Sequence, residues 1–585
     1  MELNQILAEA INNTKASLWP AFAPELILCL TIFLMLIVRL FNFASRINVY
    51  WIALIGSLVA LFFAAPWEHL APGGELPRYE LFTGMLVYDS FTVFIRAILI
   101  LFAVLFTIFT RLSGIPDKYD SADFYCMVLG AIIGMCLMAS ANHLLVVFMA
   151  VEMASVPSYA LAAMQKGRRQ SSEAALKYSI YGAGAAGVML YGISLLSGML
   201  HTAHLPTIAL QLAEMLPAMG GSERMVLALA GLMIAVGLAF KLSAVPFHFW
   251  CPDVFEGASA EINAFLSVAS KAGALALLVR ICLGIGLIPS TPVGPPPADQ
   301  AVETATLNAE LGIGTAAFSV GDSLDKANPE VMLAKGDDTA AAATVGSDNL
   351  APVRTFIAYL VAFIAVITST FGNLAAYGQT NIKRLLAYST VAHAGYMMLP
   401  VPVAMMLAKS HPEIAEKAIA SLALYMSFYL FMNLSAFAIV AFLRNMLNSE
   451  EIADYAGLVK RTPGIVVCFA IVLFSLVGIP PLAGFIGKFA IFASLAEGYQ
   501  ASGFNWILML LVFGGLNTVL SLFYYLRVVK VMAIDPEPDR ATSTNWSMVS
   551  MGGAFIALVT FPLILFFIKW DLLNEWTITA ARNLL

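Results

Sequence analysis

The chain has 585 residues, 60% of them hydrophobic and only 12% charged, with a formal net charge of −6. A soluble domain is about 45–50% apolar and roughly 25% charged, so this composition excludes an ordinary soluble enzyme. The acidic balance, with no Lys/Arg cluster, argues against nucleic acid as a partner. Apolar runs near 20 residues long match about 30 Å of hydrocarbon crossed at roughly 1.5 Å per residue. The fold class is therefore an all-α integral membrane protein. No Gly-rich phosphate loop follows a strand, so nucleotide and flavin sites have no residues to support them. Cys29, Cys126, Cys136, Cys251, Cys282 and Cys468 form no CxxC pair and read as buried small hydrophobes rather than disulfides or metal ligands.

Residues 1–19 are polar and mildly amphipathic, without the basic start and small-residue cleavage site of a removed signal. The first apolar run, 20–41, is thus expected to remain as a spanning helix. With the runs at 49–66 and 86–110 it makes an N-terminal group over 20–121. Runs at 122–140, 143–164, 173–199, 225–250 and 259–287 form a first five-helix unit, 122–287. Runs at 355–378, 385–407, 417–443, 464–497 and 505–532 form a second, 355–532. A last run at 547–569 lies in a C-terminal segment, 533–585, giving about 14 spans. An even number puts both termini on one side. Alternate loops holding Arg39, Arg46, Arg111, Lys118, Arg168, Arg169, Lys383, Arg384 and Arg444 take the cytoplasmic side, which places the termini outside. Between the units, 289–353 opens Pro-Ser-Thr-Pro-Val-Gly-Pro-Pro-Pro and reads as a flexible polar outer loop, with a docking segment as the alternative.

Two spans carry helix breakers. The first is Lys241-Leu-Ser-Ala-Val-Pro-Phe-His-Phe-Trp250, the second Gly478-Ile-Pro-Pro-Leu-Ala-Gly-Phe-Ile-Gly-Lys488. Proline removes a backbone donor and clashes with the preceding turn. Interrupted helices in corresponding positions of two halves point to an internally repeated transporter fold. Five helices per unit would turn the two repeats in opposite directions.

Buried charge is the chemically informative feature. A charged residue at a helix centre costs about 2.5–3.5 kcal/mol on insertion scales. Glu152, Lys241, Lys271 and Lys488 together would cost roughly 10 kcal/mol, comparable to the net stability of a domain. Pairing, internal water or function must offset that. Glu152 lies mid-span and is either a relay carboxylate or half of an ion pair joining two helices. Lys241 borders a break, where unwound backbone and water line a cavity. Lys271 sits among small residues that permit close helix approach, and Lys488 follows the second break. Lys177, a few residues inside its span, either joins the relay or snorkels. His248 follows Lys241 by seven residues, on the same face if the helix continues. His393 sits among Tyr388, Ser389 and Thr390. Both histidines read first as packed polar groups, with secondary relay use as the alternative, and neither has the neighbours of a metal site. Arg96 cannot lose its proton and is a structural or field-setting charge, while Arg280, near a span end, is expected to snorkel.

Lysine suits proton transfer for a physical reason. Its reference pKa of about 10.4 falls when an apolar medium surrounds the amine and recovers beside a carboxylate. A lysine that exchanges partners therefore changes its proton affinity by orders of magnitude. Moving each charge against the membrane potential takes about 2.3 kcal/mol per 100 mV, and nothing in this chain supplies it.

The stretch Phe240-Lys241-Leu-Ser-Ala-Val-Pro-Phe-His-Phe-Trp-Cys-Pro-Asp-Val-Phe-Glu-Gly257, running on to Ser270-Lys271, resembles subunit N of the antiporter-like subunits of bacterial NADH-quinone oxidoreductase, respiratory complex I. Pro252-Asp-Val-Phe-Glu-Gly257 favours subunit N over its relatives M and L. Ser172-Glu-Ala-Ala-Leu-Lys177-Tyr, Asn381-Ile-Lys-Arg-Leu-Leu-Ala-Tyr-Ser389 and the Gly478–Lys488 segment resemble the same family. The resemblance implies 14 helices with two inverted five-helix repeats, each forming a half-channel. It implies an acid–lysine pair in Glu152 and Lys241, a central lysine in Lys271 and a terminal lysine in Lys488. It also implies that NADH, FMN, iron–sulfur clusters and quinone belong to partner subunits, with none of these cofactors in this chain. The partners would be neighbouring antiporter-like and small membrane subunits in the bacterial inner membrane. Segment 289–353 is longer than the family's usual loop. A multi-subunit cation/proton antiporter and a purely structural membrane scaffold are the competing readings.

Overall fold

The computed structural model describes residues 11, 13–41, 48–70, 76–116, 120–165, 167–288, 349–537, 548–582 and 584. The helices before the first break are α1 (Ala23–Leu40), α2 (Val49–Ala64), α3 (Ser90–Ser113), α4 (Ser121–Ser140), α5 (Leu144–Ala162), α6 (Arg169–Leu200), a short α7 (Leu205–Met215) and α8 (Gly221–Leu242). After it come α9 (Trp250–Gly257), α10 (Ala260–Gly286), α11 (Ala351–Ala376), α12 (Ile382–Met398), α13 (Pro400–Leu407) and α14 (Pro412–Leu447). The chain ends with α15 (Pro463–Val477), α16 (Ala483–Ser502), α17 (Asn505–Ala533), α18 (Met551–Ile568) and α19 (Asp571–Arg582). Among the described residues, 13 helices are long and apolar enough to cross a membrane, with α12 and α13 counted as one. The pair α15 and α16, split at Gly478–Leu482, supplies the remaining expected crossing. Most of the expected loop 289–353 lies outside the described residues; its last residues, from Ala351, already belong to α11.

The core follows from which helices are apolar all round. Helices α10, α12–α13 and α14 are buried along nearly their whole length, whereas α6 and α17 expose most of theirs. A helix that is apolar on every face belongs inside a bundle or in lipid. Close approach depends on glycine where helices cross: a Cβ on Gly134 of α4 would sit 2.8 Å from the Ala154 nitrogen of α5.

Several boundaries differ from expectation for local reasons. Leu86–Tyr88, expected to begin a span, pairs instead as an antiparallel strand with Tyr79–Leu81. The helix starts at Ser90 because the Asp89 carboxylate caps it, accepting from the Thr92 amide at 2.8 Å. The hairpin end of the bundle also holds the bridges Leu86–Ala141 and His143–His204. The opposite end is an ion-pair end. There Arg444 meets Glu261 at 3.2 Å, and Lys383 meets Glu450 at 2.8 Å.

Arg280 does not snorkel. It is buried, as is Asp89, and its two terminal nitrogens donate to the two Asp89 oxygens at 2.6 and 2.5 Å. Burial of both charges makes the pair, rather than an interface, the destination of the guanidinium. Arg96 is likewise paired, its Nε lying 2.8 Å from buried Glu25 of α1. Lys383, counted above as a loop cation, is buried and also donates to the Glu256 and Ala258 carbonyls at 2.8 Å. Of the cysteines, Cys136, Cys251 and Cys282 are buried and Cys126 and Cys468 half-buried, but Cys29 is exposed on the outer face of α1.

Candidate functional site

Proline and a left-handed residue end each interrupted helix. Helix α8 stops at Leu242, and Ser243 takes φ 54° as its C-cap. Helix α15 stops at Val477, and Gly478 takes φ 89°. A helix that ends leaves its last carbonyls without intrahelical partners, and in the membrane these need another donor. At the first break Lys271 of α10 donates its Nζ to the Leu242 carbonyl. At the second, Lys488 of α16 donates to the Val477 carbonyl at 2.9 Å. The same device appears twice: a buried ammonium set on the negative end of a half-helix, where the backbone dipole favours a cation.

The first break has a second lysine. Lys241, next to the Leu242 carbonyl, is buried and donates to Ser155 Oγ at 3.0 Å. The Ser155 hydroxyl donates onward to Val151 at 2.6 Å, so its oxygen is free to accept the ammonium proton. Ser155 lies three residues after Glu152 on α5, hence on the same face. Glu152 is half-buried. No ion pair within 4.0 Å joins it to Lys241 among the described residues; the bond that Lys241 makes to α5 goes to Ser155, one turn along from the acid. The break itself is braced. Trp250 Nε1 donates to the Phe240 carbonyl at 3.0 Å, and its ring stacks on Tyr178 at 4.3 Å between centroids. Thr368 of α11 accepts from the Val245 amide at 3.0 Å, which ties this break to the second unit.

Around the second break the polar groups are aromatic. The Lys488 ammonium sits 4.6 Å from the centre of the Tyr396 ring, a cation–π contact. His393 is buried, with Nδ1 2.6 Å from Tyr425 OH and Nε2 3.2 Å from Tyr525 OH. Its ring also lies 5.8 Å from Tyr396, so His393 and Lys488 share that phenol. Ser389 bonds the Tyr525 hydroxyl. A Cβ at Gly484 would overlap the Ser475 carbonyl, and Ser475 Oγ accepts the Gly484 amide at 3.1 Å; only glycine lets the half-helices meet this closely.

The other candidates fall elsewhere. Because α8 ends at Leu242, His248 does not continue a face with Lys241; it is half-buried against Phe371, 4.4 Å between ring centres. Lys177 lies at the ion-pair end, held by Asp253 at 2.8 Å and Glu173 at 3.0 Å. Arg384 reaches the same half-helix α9, through Glu256 at 2.5 Å and Asp253 at 3.2 Å. Ser155, Tyr396, Tyr425 and Tyr525 escaped notice in the sequence. The one-turn spacing of Ser155 from Glu152 could have flagged it. Nothing local flags Tyr525, which is 132 residues from His393. Among the described residues no group of three or more His, Cys, Asp or Glu could hold a metal.

The model of the NADH:quinone oxidoreductase/Mrp antiporter transmembrane family matches residues 141–290 and 340–520. NADH-quinone oxidoreductase subunit N of Anaeromyxobacter sp. (strain Fw109-5) is 33% identical, over 97% of this chain and 96% of its own length. NADH-quinone oxidoreductase subunit N 2 of Sorangium cellulosum (strain So ce56) is 34% identical over 96% and 97%. A chain of respiratory complex I from Thermus thermophilus, solved with bound aureothin, shares the fold with a TM-score of 0.64 at 24% identity, covering 94% of this chain and 98% of that one. A chain of the Mrp complex from Dietzia sp. DQ12-45-1b gives 0.68 at 17% identity, over 96% and 97%. The chain belongs to the NADH:quinone oxidoreductase/Mrp antiporter transmembrane family.

Proposed function

We propose that this chain is the N-type proton-translocating membrane subunit of an NADH-quinone oxidoreductase. Electron transfer takes place in partner subunits, which hold NADH, FMN, iron–sulfur clusters and quinone, and this chain moves protons with the energy released there. The observation that carries the reading is the row of buried amines at the two helix breaks: Lys241 on Ser155, Lys271 on the Leu242 carbonyl, Lys488 on the Val477 carbonyl. Amines in such positions are costly in hydrocarbon and mark ion pathways. Helices α4, α5, α6, the broken pair α8–α9 and α10 make one five-membered unit, and α11, α12–α13, α14, the broken pair α15–α16 and α17 make a second, inverted one.

Within this proposal a proton enters the row at Glu152, passes by way of the Ser155 hydroxyl to Lys241, and then to Lys271 across the Leu242 carbonyl. The phenol–imidazole cluster at His393 links Lys271 to Lys488. Loss of the proton weakens the hold of Lys271 and Lys488 on their carbonyls and of Lys241 on Ser155, and regaining it restores that hold. Glu152 supports partners too. It is half-buried beside exposed Met149, Met153 and Val156, so a neighbouring membrane subunit, rather than lipid, should cover this face. The protein sits in the bacterial inner membrane with its ion-pair end cytoplasmic and both termini outside.

The test uses the assembled complex in inverted membrane vesicles carrying Lys241→Ala or Glu152→Gln. Assembly and quinone reduction should persist while proton uptake per NADH falls. Unchanged uptake in both variants would overturn the reading. Purification without flavin and iron–sulfur partners would favour a free-standing antiporter instead.

A further inference from the structure

A second apolar feature lies away from the lysine row. Helices α2, α3, α14, α18 and α19 enclose a groove of about 370 Å³, within the roughly 300–1,000 Å³ of known ligand sites. Its walls include Leu101, Leu430 and Phe566, and its mouth is formed by Trp67, Trp576 and Lys569. Along α3 it runs from Phe94 to Leu101, about 10 Å at the helical rise. The mouth is chemically distinct from the floor. Trp67 is 48% exposed and Lys569 is exposed, both just beyond the ends of spanning helices. Tryptophan concentrates at the headgroup level of membranes, and a juxtamembrane lysine attracts anionic lipid. Among the described residues no ion pair joins Lys569 to a carboxylate, and Asp571, two residues on, does not line the groove.

We propose that this groove holds one acyl chain of an anionic phospholipid whose phosphate rests on Lys569 between Trp67 and Trp576. The site has a consequence for the interior. Ser427 and Leu430 line it from α14, interleaved with Tyr425 and Tyr429, whose rings face His393 at 6.0 and 5.3 Å. The lipid chain therefore supports the back of the helix turn that positions the phenols. The site is independent of the proton-relay reading, because its occupancy is read by binding alone.

The purified complex is stripped of lipid with detergent, then titrated with dioleoylphosphatidylglycerol or dioleoylphosphatidylcholine and weighed by native mass spectrometry. Wild type should bind the anionic lipid about fivefold better, the effect of one lysine at a membrane surface. Lys569→Glu, at an exposed position, should remove that preference. Ala97→Phe, which fills the wall, should cut binding of both lipids. Equal binding of the two lipids to wild type, or an undiminished preference in Lys569→Glu, would overturn the proposal. So would a cross-link from residue 569 to a neighbouring subunit, which would make the groove a protein interface.

Discussion

At the first interrupted helix the ammonium that meets the freed carbonyl comes from another helix, Lys271 of α10, and a second lysine stands beside it. At the second, the ammonium comes from the same broken helix, eleven residues beyond the carbonyl it serves, and its other neighbour is a phenol ring. The chain turns also differ: Ser243 makes the left-handed cap in one and Gly478 in the other. One break is thus held by Lys271 and Thr368 from other helices, with Trp250 bridging its two halves, and the other from within by glycine and its own lysine. The first can lose a bond and keep its shape, because Trp250 and Thr368 hold it independently. The second has fewer supports from other helices.

The sharpest way to break this comparison is Gly484→Ala. Its added methyl would collide with the Ser475 carbonyl, which is backbone and cannot rotate away, so the subunit should fail to assemble on a native gel. A normally assembled variant would show that the second break tolerates separation of its halves. Next in size is the pair Lys488→Met and Lys271→Met. Each removes a hydrogen bond from a charged donor, about 1.5–3 kcal/mol, and leaves a buried carbonyl unpaired. Lys488→Met also loses the contact with Tyr396, so its complex should melt at a lower temperature than that of Lys271→Met. Equal melting temperatures would erase the distinction between the breaks. Smaller still is Ser155→Ala, which removes the oxygen that accepts from Lys241 one turn along from Glu152. With one charge-assisted bond at stake, proton uptake should slow about tenfold with assembly intact. The equivalent loss should not follow from Ser421→Ala on α14, a buried serine whose hydroxyl lies 3.4 Å from Ser494 Oγ of α16, with no lysine on it among the described residues.

How much of this was legible depends on the range of the signal. Span positions follow from composition over about 20 residues, and both breaks follow from Pro246 and Pro480–Pro481, so those features were readable. The three-residue strands Tyr79–Leu81 and Leu86–Tyr88 carry too short an alternation to distinguish from a helix start. Arg280 looked like a snorkelling end residue because its partner Asp89 lies 191 residues away. The candidate lysines were visible as charges in apolar runs, but their partners were not. A backbone carbonyl has no sequence signature, and neither does the folding that brings Tyr425 and Tyr525 to His393. His248 misled because periodicity was carried through Pro246, where the helix had already ended at Leu242.

The smallest expected effect tests the turns. Ser243 holds φ 54°, a left-handed conformation that costs a residue with a Cβ about 1–2 kcal/mol. Ser243→Gly removes that strain, while the more flexible unfolded chain takes back about 0.4–1 kcal/mol. The serine hydroxyl is buried and meets only the weakly hydrogen-bonding sulfur of Cys251, so its loss costs little. The first term is the larger by roughly 0.5–1 kcal/mol, and the melting temperature of the complex should stay at or slightly above wild type. Gly478→Ala runs the same exchange in reverse at φ 89°, with the added Cβ also 3.0 Å from Lys488 Cδ. It should destabilise by more than Ser243→Gly changes anything. If the two substitutions shift the melting temperature equally, the second break is no more dependent on its glycine than the first is on its serine, and the contrast between an externally braced break and a self-braced one fails at the backbone.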